Sequence, residues 1–64
     1  SGPGSAYVSF ELNNQGELVS VSISKSSGSS RFDRDALKVV KRAAPFPEPP
    51  KNVNLHFTVE IKGR

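Results

Sequence analysis

The residues able to do acid–base or nucleophilic chemistry are few and far apart. His56 is the single histidine, and the six acidic residues are scattered between Glu11 and Glu60. No carboxylate–histidine–nucleophile set can be assembled from them, so an enzyme is not expected. The chain has no cysteine, which removes a thiolate nucleophile and any disulfide, and one histidine alone cannot build a zinc site. No catalytic residue, metal or cofactor is expected. Alternation along its own segment puts His56 on a wet face with Thr58 and Glu60, the position of an ordinary exposed residue.

Basic residues are concentrated at Arg31, Arg34, Lys38, Lys41 and Arg42, within a net charge of +3. Mild positive charge is a weak argument for any partner. Sheet-type RNA binders stack bases on several exposed aromatics. Here Tyr7 is the only outward aromatic, while Phe10, Phe32, Phe46 and Phe57 fall at core positions. Nucleic acid is therefore not an expected partner.

What remains is chemistry of the backbone, and that depends on the elements. Val8, Phe10 and Leu12 alternate with Tyr7, Ser9 and Glu11, the period of a half-buried strand. Asn13-Asn14-Gln15-Gly16 follows, residues that tolerate positive φ and close hairpins. Val19, Val21 and Ile23 then alternate with Ser20, Ser22 and Ser24, which predicts a second strand with a serine-rich wet face. Gly28 suits a positive-φ turn, after which Ser30 can cap a helix with Asp33 in the capping-box position. Phe32, Ala36, Leu37, Val40, Ala43 and Ala44 supply its apolar face, and Asp33 and Asp35 precede Lys38, Lys41 and Arg42 in the order that suits the helix dipole. Pro45 ends the helix. Pro45–Pro50 reads as a stiff connector anchored only by Phe46. Val53, Leu55, Phe57, Val59 and Ile61 finally alternate with Asn54, His56, Thr58, Glu60 and Lys62, a third strand of about nine regular residues.

The order strand, strand, helix, strand defines an α+β, ββαβ domain. A right-handed crossover makes the second and third strands parallel and leaves a gap between them for the first. The result is a three-stranded antiparallel sheet of order 2-1-3 with the helix on one face. The third strand then lies at an edge, with no proline or glycine inside it to blunt pairing. Such an edge can accept an extended peptide by strand addition, through Val53, Asn54, Leu55, His56, Thr58 and Glu60 together with Phe57, Val59 and Ile61. It can equally be covered by a segment outside this chain or by a second copy, giving a strand-exchanged homodimer. At 64 residues a domain buries only about 60% of its unfolded surface, so packing leaves little stability in reserve.

Ser26-Ser27-Gly28, Phe32-Asp33 with Ala36-Leu37, and Ala44-Pro45-Phe46-Pro47 with Pro49-Pro50 form an ordered combination. Together with the hairpin Val8–Leu12 and Gly16–Val19, and with the closing strand, it resembles the TonB C-terminal domain family over nearly the whole chain after Tyr7. The opening Ser1-Gly2-Pro3-Gly4-Ser5 reads by its own composition as an expression-tag remnant over residues 1–5, and the resemblance makes residues 6–64 a TonB-like domain. The stretch that precedes the first strand in the family, including a short helix, is absent.

The resemblance implies a periplasmic domain whose parent is anchored in the inner membrane of a Gram-negative bacterium. It implies ExbB- and ExbD-type partners that tap the proton gradient. It also implies docking of the TonB box of outer-membrane receptors as a strand beside Val53–Ile61, in support of siderophore and vitamin uptake. TolA-like envelope-integrity domains share the architecture but commonly carry a cysteine pair; the absent cysteines and the Pro45–Pro50 stretch favour the TonB side. No apolar run approaches the roughly 20 residues needed to cross a bilayer.

Overall fold

Strand formation begins where alternation and turn chemistry coincide. The computed structural model describes residues 4–63, so Ser1, Gly2 and Pro3 of the expected tag remnant lie outside the described residues. Its elements are β1 (Ser5–Leu12), β2 (Leu18–Lys25), α1 (Ser30–Ala43) and β3 (His56–Lys62). The sheet has the order β2-β1-β3, and β1 is antiparallel to both neighbours. This is the α+β arrangement expected from the alternation and the crossover rule. Gly4 and Ser5 belong to the folded part: Ser5 opens β1, and the Gly4 carbonyl accepts from the Gly63 N–H at 2.9 Å.

Central β1 carries the core. Ala6, Val8, Phe10 and Leu12 are buried beneath Ala36 and Val40 of α1. Val8 is fully buried, a transfer that stabilises the fold by about 1.5–3 kcal/mol. The helix lies over β1 and β2, and Phe32 and Leu37 pack at the margin of the core. Val40 is its last buried residue; Ala43, of similar phase, is exposed in the final turn. Ala44 is already extended, with φ −77° and ψ 150°, as a residue before proline requires.

The hairpin turn is held by Asn13, whose side-chain oxygen accepts from the N–H groups of Gln15 and Glu17, each at 2.9 Å. The alternation of β2 is interrupted. Glu11 faces Ser20 while Leu12 faces Leu18, which leaves Val19 as an extra residue in a bulge. Leu18 therefore packs on the core, and Val19, expected on the apolar face, is 58% exposed. A second register shift, between Tyr7 and Val8, leaves Ser24 unpaired, and its hydroxyl donates to the Tyr7 carbonyl at 3.2 Å.

The helix start also differs from expectation. Ser29, not Ser30, is the N-cap, its hydroxyl accepting from the Phe32 N–H at 3.1 Å. Asp33 turns back to the loop instead of closing a capping box. Its carboxylate accepts from the Ser26 hydroxyl, from the Ser27 N–H at 2.9 Å and from the Ser27 hydroxyl at 2.7 Å. These three donors, the Ser26 hydroxyl first, hold its pKa below the ordinary value, because each stabilises the charged form. A depressed carboxylate contributes stability that is present above its unfolded value and lost as pH falls through the folded one. Asp33→Asn is therefore expected to lower the melting temperature at neutral pH and to flatten the acid limb of stability below the normal carboxylate range. Parallel thermal melts of the two proteins from pH 2 to 7 check this; identical acid limbs would contradict it.

The last strand is shorter than its alternation. Val53, Asn54 and Leu55 precede β3, although the Leu55 carbonyl still accepts from the Leu12 N–H at 3.0 Å. Asn54 ends the extension at that point, since its side-chain oxygen takes the His56 N–H at 2.9 Å, a local Asx turn in place of continued pairing.

Candidate functional site

The ladder between β1 and β3 decides which backbone groups of β3 are used. The Leu12 N–H donates to Leu55 and the Gly63 N–H to Gly4. Hydrogen-bonded pairs recur every second residue in an antiparallel ladder, so Phe57, Val59 and Ile61 point their N–H and C=O groups at β1 through Phe10, Val8 and Ala6. His56, Thr58, Glu60 and Lys62 point theirs away from the sheet. The His56 N–H is taken by Asn54. The N–H groups of Thr58, Glu60 and Lys62, and the carbonyls of all four residues, have no strand beside them among the described residues.

The two edges of this sheet are unlike. On β2, the bulges at Val19 and Ser24 break the regular row of outward groups, which is one way proteins blunt an edge. On β3 the pairing with β1 runs without a shift from His56 to Lys62. The regular edge is thus roughly 23 Å long at ~3.3 Å per residue.

Side chains flank this edge on both faces. On the wet face, Thr58 shares a hydrogen bond with Ser9 at 3.0 Å, and His56 lies 3.8 Å from the Glu11 carboxylate. His56 is 71% exposed, so a pair formed on its protonation would add little stability. On the helix side, Val59 and Ile61 are half-buried, but Phe57, expected in the core, is 38% exposed. The cause is the placement of α1 over β1 and β2, which leaves the flank of β3 without a roof.

That flank holds an apolar groove of about 480 Å³, lined by Phe10, Leu12, Phe46, Pro49, Val53 and Phe57. The Phe10 ring stacks on both Phe46 and Phe57, each with centroids 5.4 Å apart. The Phe46 N–H donates to the Gly16 carbonyl at 2.9 Å, which ties the connector to the hairpin turn and forms the groove's far wall. Phe46 is the connector's anchor, as its sequence suggested.

Of the nine residues singled out as an edge, the structure places His56–Ile61 in β3 and Val53–Leu55 ahead of it. Val53 borders the groove instead. Sequence reading missed the groove and the stop at Asn54. An Asn two residues before a strand start is a recognisable local signal for the latter; the groove has no local signal, because its walls come from four segments.

A protein-family model for the TonB C terminal matches residues 1–62. The protein named Protein TonB from Pseudomonas putida is 33% identical over 52 residues, covering 81% of this chain and 21% of that protein. The chain thus spans about a fifth of the length of this curated relative. No solved structure matches. With the ββαβ fold, the family match over nearly its whole length and a relative of this identity in agreement, the chain belongs to the TonB C-terminal family.

Proposed function

We propose that β3 receives an extended peptide by strand addition, and that this peptide is the TonB box of an outer-membrane receptor. The observation carrying the proposal is the unbulged row of outward N–H and C=O groups at Thr58, Glu60 and Lys62, on a sheet whose opposite edge is broken twice. Membership of the TonB C-terminal family supports the choice of partner. In this reading the domain lies in the periplasm and its parent is held in the inner membrane. ExbB- and ExbD-type proteins couple that parent to the proton gradient, and the grip on the box transmits the pull that opens the receptor for siderophores and similar cargo.

Strand addition suits such a task. Each backbone hydrogen bond contributes a net ~0.5–1.5 kcal/mol, so release remains easy once the load is removed. Several bonds loaded together along one strand resist a pull better than one bond loaded alone. The domain's part is binding and force transfer, with no chemical step.

The test is a titration of the ¹⁵N-labelled domain with a synthetic TonB-box peptide. Saturable amide shifts at Thr58, Glu60 and Lys62, with slowed hydrogen exchange at those three amides, are expected. Shifts confined to β2 or the helix, or none at all, would overturn the proposal.

A further inference from the structure

We infer that the groove beside Phe57 receives one large apolar side chain of the docked strand and thereby sets the register of docking. This rests on strand addition at β3 and adds what backbone pairing cannot supply. A row of N–H and C=O groups repeats every two residues, so pairing alone would let a visitor slide by two residues at little cost. Something on the side-chain level must select one alignment.

Sheet geometry directs a side chain there. A visiting strand lies ~4.8 Å beyond β3, and whichever way it runs, alternate side chains point to the helix side of the sheet. The one level with Phe57 stands beside an exposed ring and faces the opening between Phe57, Val53 and the connector. Levels with Val59 and Ile61 meet residues already half-buried. Val53 and Phe57, 44% and 38% exposed, are two of the four exposed large hydrophobics, and both line this opening. A leucine- or phenylalanine-sized group would cover them together, whereas alanine would leave them wet. The occupant is therefore an extended peptide with a leucine, isoleucine or phenylalanine at one helix-side position and no size requirement at the others.

The experiment uses nine-residue peptides of alternating threonine and alanine, with each alanine replaced in turn by leucine or phenylalanine. Affinity and amide shifts are read on the labelled domain. Peptides with the large residue at an inner position are expected to gain roughly tenfold over the alanine peptide, with nuclear Overhauser contacts from the leucine methyls to Val53 and the Phe57 ring in every case, because each peptide slides by two residues until that side chain stands level with Phe57. In Val53→Glu, which alters an exposed residue outside the strands, the leucine-to-alanine affinity ratio should fall close to one; Phe57→Ser should do the same. Leucine and phenylalanine peptides that bind no tighter than the alanine peptide, with the Thr58, Glu60 and Lys62 shifts retained, would overturn the groove's role and leave strand addition standing. Absence of β3 shifts with every peptide would overturn both. Concentration-dependent self-association without peptide, lost in Val53→Glu, would place a second copy in the groove and overturn the assignment.

Discussion

Thr58→Pro is expected to leave the domain folded and to weaken peptide binding at least tenfold, while Val59→Pro, one residue on, unfolds it. The contrast follows from the ladder. The Thr58 N–H faces outward with no partner in the sheet, and an edge strand tolerates proline where the lost donor faces solvent. Phe57 before it is already extended, as the residue before a proline must be. The proline ring then occupies the space a visiting strand needs, and one donor of the docking row is lost. Loss of a bond of ~0.5–1.5 kcal/mol is itself worth up to about tenfold, and the steric block adds to it. Glu60→Pro should behave like Thr58→Pro.

Val59, in contrast, pairs with Val8 at the centre of the core. Proline there removes a ladder bond and pushes its ring against β1. A 64-residue domain holds only about 0.05–0.15 kcal/mol per residue, so a loss of about 3 kcal/mol or more is a large share of the total. Circular dichroism melts read the fold and peptide titration reads the edge. Undiminished peptide affinity in both Thr58→Pro and Glu60→Pro would exclude β3 as the docking strand.

Gly16→Ala should be among the most destabilising single-methyl additions in the chain. Gly16 has φ +85°, and a Cβ built on it would stand 2.2 Å from the Phe46 carbonyl oxygen and 2.9 Å from that of Pro47. The strained φ alone costs about 1–2 kcal/mol for an L-residue. The contact is with backbone, so the connector itself must retreat, breaking the Phe46–Gly16 hydrogen bond and loosening the Phe46–Phe10 stack. The sum is about 3 kcal/mol, or a fall in melting temperature on the order of 12–24 °C for a domain of this size. Gly28→Ala is the control. It has φ +95° but nothing within 4 Å of the added Cβ, so only the backbone term of about 1–2 kcal/mol applies. Equal losses at the two glycines would show that the connector contact does not matter. A Gly16→Ala protein that folds at low temperature should also lose the groove's preference for a large side chain, because the Phe46 wall has moved.

The comparison of these glycines shows where sequence reading stops. Positive φ at Gly16 and Gly28 was legible from turn chemistry, a property of neighbouring residues. The approach of Phe46 to Gly16 joins residues 30 positions apart and leaves no trace in either local pattern. The same division runs through Ser26, Ser27 and Asp33. A serine-rich turn before a helix was readable, but two geometries compete for Asp33, and the loop's donors outbid the capping box once the loop is folded over the first turn.

By itself the sequence determined the three strands, the helix, their order in the sheet and the exposure of one long edge. Those follow from periods of 2 and 3.6 in contiguous residues and from the handedness of a crossover. Tertiary structure alone decided that Leu18 and not Val19 packs inward, that β3 starts at His56, and that the outward groups are those of Thr58, Glu60 and Lys62. It also decided that α1 stops short of Phe57 and leaves a groove. Register, bulges and roofing depend on how distant segments align, and alignment is set by the packed core as a whole rather than by any stretch of chain.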